Sequence, residues 1–265
     1  MNTPPSFITT AVVQDMQAHA EAEFPRESCG LVIETASAVS YLPRANSAEA
    51  PQADFRISPQ AYAGAARQGR ILAVVHSHPD CPVDCSTVCP AHPSESDMAG
   101  QLASNLPWAI VPVLGTQEGA GHSLRPLWWG PGVPVAPLLE REFVHGLADC
   151  YACARDWYRT ERGIILPDFA RPDAWWEKGG NLLVAQLASA GFVRCDDSGE
   201  PEQIGDGFIM QIQSQVPNHC AVYLGGGLIL HHLANRLSRT EPVHRWRSHV
   251  LYRVRLVSAE AGGQP

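Results

Sequence analysis

Ile71-Leu72-Ala73-Val74-Val75-His76-Ser77-His78-Pro79, followed after an interlude by Pro93-Ser94-Glu95-Ser96-Asp97, is the stretch on which the reading of this chain turns. The apolar run before His76 has the length and composition of a buried strand. Alternation along a strand puts His76 and His78 on the same side, at its end. Ser94 to Asp97 has the spacing of a helix start, with the Asp97 carboxylate near the helix's positive end. Two imidazoles and a carboxylate, with a position left for water, is how catalytic zinc is held. The same residues also have a plainer explanation: two satisfied histidines at a strand end, and a Ser-x-x-Asp capping box.

A further carboxylate tips the balance toward chemistry. Zinc-dependent amide hydrolysis needs a base outside the coordination sphere to take a proton from water, and a donor for the developing oxyanion. Glu27, just before the strand Cys29-Gly30-Leu31-Val32-Ile33, offers the base, and the Ser94 hydroxyl offers the donor. Together Pro25-Arg26-Glu27-Ser28-Cys29-Gly30-Leu31, His76-Ser77-His78-Pro79 and Pro93-Ser94-Glu95-Ser96-Asp97 resemble the JAMM metalloprotease family, the catalytically equipped MPN domains. The resemblance covers about residues 8 to 127. It implies zinc held by His76, His78 and Asp97, with Glu27 as general base. It further implies that Ser94 stabilises the tetrahedral intermediate and that amide or isopeptide bonds are cut.

The link between His78 and Ser94 is longer than the family's usual one and carries Cys81, Cys85, Cys89 and His92. Three thiolates and an imidazole suit a second, structural zinc, although zinc sites usually pair two close cysteines with a distant pair. The other readings are an exposed loop that happens to be cysteine-rich, and thiolates that compete for the catalytic metal.

The rest of the chain sets the frame. With 265 residues, 45% hydrophobic and 17% charged, it is expected to fold as one or two soluble domains. A net charge of −8 leaves no electrostatic footprint for nucleic acid or an anionic membrane. No apolar run reaches a membrane span. Met1-Asn2-Thr3-Pro4-Pro5 lacks the basic-then-apolar pattern of a secretory signal, so the eight cysteines are expected to stay reduced.

In order, the pattern predicts a helix over Ala11 to Phe24, the Cys29 strand, a short strand at Phe55 to Ser58, and a helix from Pro59 to about Arg67. The strand ending in His76 and the helix opened by Ser94 follow. A strand at Trp108 to Val113 comes next, with His122 to Leu127 pairing beside it. Alternating strands and helices suggest an α/β layer arrangement. Trp129-Gly130-Pro131-Gly132-Val133-Pro134-Val135-Ala136-Pro137 reads as a linker. The expected division is residues 1–127, a linker at 128–137, and a second domain over 138–265. There a helix from Asp149 to Gly163 and another from Asn181 to Ala190 precede strands at Gly207 to Gln213, His219 to Leu224, Leu228 to Leu233 and Val250 to Val257. Helices first and strands afterwards suggest α+β.

Cys150 stands where that first helix begins, a position that favours a thiolate, though a lone cysteine there is commonly a small buried residue. A thiol nucleophile needs an imidazole base with an orienting partner. His219 and His231 can be brought together if Gly225-Gly226-Gly227 turns their strands into a hairpin. His231 and His232 should face opposite ways, Cys220 should pack inward, and Cys153 is a core residue or a resolving thiol.

Cys150 with Asn218-His219-Cys220-Ala221-Val222-Tyr223-Leu224-Gly225 and Leu230-His231-His232 resembles the NlpC-type cysteine peptidases, over about residues 138 to 257. The resemblance implies a papain-like fold that cuts bacterial cell-wall peptides. Cys150 would be the nucleophile, His219 the base and His231 the orienting residue. The tyrosine that the family carries upstream is absent from Arg141-Glu142-Phe143-Val144-His145-Gly146, and Tyr151 replaces the usual serine after the cysteine.

The JAMM-then-NlpC order, with Arg155-Asp156-Trp157-Tyr158-Arg159, Trp175-Trp176 and Pro217-Asn218-His219, resembles the tail assembly proteins of lambda-like siphophages. That implies phage tail tip proteins and bacterial peptidoglycan as partners. It also implies residence in the host cytoplasm during assembly and then at the virion tail tip. The alternative reading is a non-enzymatic assembly factor with vestigial sites.

Overall fold

Thr9 accepts the Val12 amide at 3.3 Å and opens α1 (Thr10–Glu23), whose Val12, Met16 and Ala20 bury one stripe at four-residue spacing. The computed structural model describes residues 3–79, 92–195 and 200–257. It divides into two compact units, Met1–Pro93 with Gly100–Val135, and Ser94–Ala99 with Ala136–Pro265. No helix among the described residues is long and apolar enough to cross a membrane.

In the first unit β1 (Cys29–Glu34) runs antiparallel to β2 (Val39–Arg44). Ser58 accepts the Ala61 amide at 3.2 Å and Pro59 fills the first position of α2 (Pro59–Ala66). β3 (Arg70–Pro79) then pairs with the other side of β1. The connection onward contains α3 (Glu95–Ser104), of which the part from Gly100 falls in this unit, and β4 (Trp108–Gly115) returns parallel to β3, which requires such a crossover. β5 (Gly121–Ser123) and β6 (Leu127–Trp129) both pair antiparallel with β4. The α1 stripe packs with Val32, Val75 and Val111 of this sheet.

The first unit departs from the sequence pattern in three places. Phe55 to Ser58 is not a strand, because side chains divert its backbone. Asn46 Oδ1 accepts the Arg56 amide at 3.1 Å, and Ser47 donates to the Arg56 carbonyl. β2 was not foreseen: it is an edge strand in which only Tyr41 is buried, so it shows no clean alternation. The stretch read as a linker starts too early, since Trp128 and Trp129 are buried and paired with Ala109 and Trp108.

Gly30 is required by a close approach. A Cβ there would stand 2.5 Å from the Tyr41 ring, and that ring is tied to His19 by a 2.9 Å hydrogen bond. Gly30→Ala is expected to destabilise the protein by about 1–3 kcal/mol, as overpacking does. The check is the urea midpoint; an unchanged midpoint would show that Tyr41 swings aside freely.

The second unit begins its regular structure with α4 (Cys150–Arg162), capped by Asp149 and ended by Gly163 at φ 66°. α5 (Leu182–Ser189) leads into β7 (Phe192–Arg194). β8 (Gly207–Met210), β9 (His219–Gly225), β10 (Leu228–His231), β11 (Arg239–Pro242) and β12 (Val250–Leu256) complete an antiparallel sheet ordered β11-β10-β9-β8-β12-β7. Gly225, Gly226 and Gly227 all have positive φ (89°, 60° and 76°), which the tight β9–β10 turn demands. One sheet face, with Ile209, Cys220, Val222 and Leu230, packs with Tyr151 and Trp157 of α4. The other, with Phe208, Met210, Ala221 and Ile229, packs with Val243. β7 and β11 escaped the sequence reading because one has a single buried residue and the other none. The order of mixed α/β first and α+β second is as expected.

Candidate active sites

β1 and β3 bring the first cluster together. Cys29 pairs with His76 in the ladder, which places Glu27 just beyond the strand end where the two histidines emerge. The approach to β1 is pinned: Ser28 N–H donates to Ser77 Oγ at 2.7 Å, and Ser77 N–H donates to the Ser28 carbonyl at 2.9 Å. Glu27 N–H donates to the Pro51 carbonyl at 2.6 Å, and Asn46 Nδ2 donates to the Glu27 carbonyl at 3.0 Å. His76 and His78 turn the same way, with their Nε2 atoms 3.0 Å apart. One donor atom from each of Glu27, His76 and His78 lies within 4.8 Å of the others. Phe55 stacks on His76 at 4.3 Å, and Trp108 and Trp129 meet it edge-on, which fixes the imidazole plane. That aromatic packing was not legible in the sequence, since Phe55 lies far from His76 along the chain.

Cys29 takes no part as a thiolate, because burial and the nearby Glu27 push its thiol up to about 12. Ser94 and Asp97 form the capping box: Asp97 Oδ2 accepts from Ser94 N–H at 2.8 Å and from Ser94 Oγ at 2.7 Å, and Asp97 N–H donates back to Ser94 Oγ at 3.1 Å. Asp97 is buried and Ser94 exposed. Cys81, Cys85 and Cys89 lie outside the described residues; His92 is half-buried.

The second site is built at the N-terminus of α4. Asp149 is wholly buried and serves three roles: its Oδ1 accepts the Ala152 amide at 2.9 Å, and its Oδ2 accepts the Gly146 amide at 3.0 Å and Arg171 Nε at 2.6 Å. Burial pushes the Asp149 carboxyl up, but Arg171, the Ala152 N–H and His145 outweigh it and hold the carboxyl below its usual range. Arg171 is itself fixed by Asp168, at 2.9 Å, and by the Phe169 and Gly146 carbonyls. Sequence reasoning missed Arg171, for which no spacing signal exists.

Cys150, next to this cap, is half-buried and forms no disulfide. The Cys220 thiol and the His219 imidazole, hydrogen-bonding to its sulfur, hold it well below the ordinary thiol range despite burial and the Asp149 charge. Cys220 packs on the α4 face as expected, but it also touches Cys150, which was not anticipated; its own thiol is pushed up in return. Cys153 is a core residue, pushed up to about 12 by burial.

The β9–β10 hairpin sets His219 Nε2 3.2 Å from His231 Nδ1. His232 is turned elsewhere, bonding the Arg236 carbonyl at 3.1 Å against Phe143. Burial, then His219, Arg239, His232 and Arg236, push His231 down to about 3, so it is neutral at ordinary pH. An unfolded histidine titrates near 6.5, so between that value and about 3 the unfolded chain binds a proton that the folded one refuses. Stability therefore falls as pH drops through this window. Going from pH 7 to pH 4, His231 is expected to account for on the order of 3 kcal/mol of lost stability. His231→Asn should flatten that part of the urea-midpoint profile; an unchanged slope would refute the assignment.

A mixed sheet with a His/Glu cluster, followed by an antiparallel sheet with a capped cysteine and paired histidines, defines a protein joining two hydrolase-type domains. Residues 9–125 match the prokaryotic homologs of the JAB domain, and residues 140–255 match the NlpC/P60 family. The chain belongs to the tail tip assembly protein K family. It is 36% identical over 232 residues to Tail tip assembly protein K of Escherichia phage N15, covering 87% of each chain. It is 37% identical over 210 residues to Tail tip assembly protein K of Escherichia phage lambda, covering 77% of this chain and 92% of that one. Among solved structures, an NlpC/P60 family protein from Bacillus cereus is similar at a TM-score of 0.32 and 14% identity, over 92% of this chain and 67% of that one.

Proposed function

We propose that this chain is a two-domain hydrolase of the phage tail tip, with a zinc-dependent peptidase in its N-terminal domain and a thiol endopeptidase in its C-terminal domain that cuts peptidoglycan peptides. The observation that carries it is the placing of Cys150 at the start of α4 beside His219, with His219 Nε2 3.2 Å from His231 Nδ1. In this reading the Cys150 sulfur attacks a peptide carbonyl, and His219 passes the thiol's proton to the leaving amine as the C–N bond breaks. Water then splits the thioester, with His219 taking its proton, and Cys150 is restored.

The Glu27, His76 and His78 cluster suits zinc in donor type and spacing. His76 and His78, with Asp97 as third ligand, would hold it. The bound ion would supply Lewis-acid polarisation of the scissile carbonyl. Glu27 would take the proton of the attacking water, and Ser94 would donate to the oxyanion. Tail tip proteins are the proposed substrates or partners of this half, during assembly in the host cytoplasm. The wall is the substrate of the other half once the tail tip reaches it.

The test is peptide release from purified peptidoglycan by the wild type and by Cys150→Ala, with zinc content measured on the same preparations. A second reading, a non-enzymatic assembly factor, is favoured by one observation: the upstream oxyanion tyrosine is replaced by the Arg141 to Gly146 stretch. It requires Cys150→Ala and His76→Ala proteins to support tail assembly fully while neither site turns over substrate.

A further inference from the structure

We infer that Glu241 is a positioning residue for the thiol site, selecting the His231 tautomer that leaves His219 able to act as a base. This rests on the roles proposed above for Cys150, His219 and His231. On β11, Arg239 pairs with His231 and Glu241 lies two residues further, on the same side of the strand. Glu241 Oε2 stands 3.5 Å from His231 Nε2. That nitrogen is buried and makes no hydrogen bond, so the carboxylate oxygen is its polar neighbour.

The carboxylate is not loose. Trp246 Nε1 donates to the same Oε2 at 2.7 Å, and Arg239 lies 3.7 Å from Oε1. The Trp246 ring also meets the His231 ring edge-on, with centroids 4.8 Å apart. One side chain thus holds both the acid and the imidazole it faces.

Neutral His231 carries one N–H. A carboxylate beside Nε2 favours that proton on Nε2, which leaves Nδ1 as an acceptor for His219 Nε2–H. His219 then keeps the lone pair of Nδ1, the ring nitrogen left for Cys150. With the proton on His231 Nδ1 instead, His219 Nε2 becomes the acceptor and its proton moves to Nδ1. Such a His219 points an N–H at the thiol and cannot take its proton. The charge of Glu241 also favours the imidazolium that forms when Cys150 ionises. His219, Arg239, His232 and Arg236 face His231 as well and disfavour added positive charge there, and the Glu241 carboxylate works against them.

The experiment uses the full chain and follows alkylation of Cys150 by iodoacetamide against pH, read by mass spectrometry of the peptide carrying it. Glu241→Gln keeps the size and the acceptor for Trp246 but removes the charge. It is expected to move the alkylation midpoint upward and slow alkylation at pH 6 by about tenfold, one pH unit of displaced thiolate equilibrium. Trp246→Phe, which frees the carboxylate without removing it, should give a smaller displacement in the same direction. In a His231→Ala background Glu241→Gln should change the rate by less than about twofold, because Glu241 acts through His231.

An unchanged profile in Glu241→Gln overturns the inference. So does an equal drop in the His231→Ala background, which would mark a merely structural role. If the wild type shows an acidic, Glu241-dependent profile yet releases nothing from peptidoglycan, the substrate reading fails and the positioning role stands. A wild-type midpoint at the ordinary thiol value overturns both.

Discussion

Cys150→Ala is expected to lower peptide release from peptidoglycan by roughly 10⁴-fold or more, to the level of a protein-free control, because in the proposed mechanism loss of Cys150 removes the whole covalent route. The size of the loss follows from how much of the second unit serves this one sulfur. Asp149 caps α4 directly before Cys150, and Arg171 pairs with the Asp149 carboxylate, whose charge works against the thiolate. His219 and Cys220 both bond to the sulfur. Alanine at a half-buried helix start should leave stability within about 1 kcal/mol, so lost release would reflect chemistry. His219→Ala should match the loss, and His231→Asn should fall short of it, since an amide can still orient His219. Release that survives in Cys150→Ala would eliminate the thiol mechanism.

The parts of this site that the sequence disclosed are those fixed by short-range rules. A cysteine after an N-cap aspartate, and two histidines flanking a Gly-Gly-Gly turn, carry their geometry in their spacing. The His76-Ser77-His78 pair is legible for the same reason, because strand alternation has a period of two. What escaped is held by contacts between distant segments. Arg171 on Asp149, Phe55 on His76, and Glu241 beside His231 are brought in by packing that no local pattern encodes. In the fold the misses are alike. β2, β7 and β11 are poorly buried edge or outer strands, so their residues show no alternation to read. Phe55 to Ser58 has strand-like residues, but the Asn46 and Ser47 side chains bond the backbone that a neighbouring strand would have needed.

Glu27→Gln separates two roles that the first cluster allows. Glu27 lies within 4.8 Å of both imidazoles, close enough to ligate an ion or to take a proton beside one. If Glu27 is the base, the glutamine variant should keep the wild-type zinc content while losing about 10³-fold or more in amide hydrolysis, since an amide cannot accept the proton. If Glu27 is a ligand, zinc content itself falls. His76→Ala calibrates the measurement. It removes an imidazole held by Phe55, Trp108 and Trp129, and should drop the bound metal below about a tenth of the wild-type level, the scale of loss when even an outer partner is removed. Asp97→Asn is the sharper companion, because Asp97 already accepts two hydrogen bonds from Ser94. Zinc retained at full level in Asp97→Asn but lost in Glu27→Gln would move the third ligand from the helix cap to Glu27, and the general base would then have to be sought elsewhere.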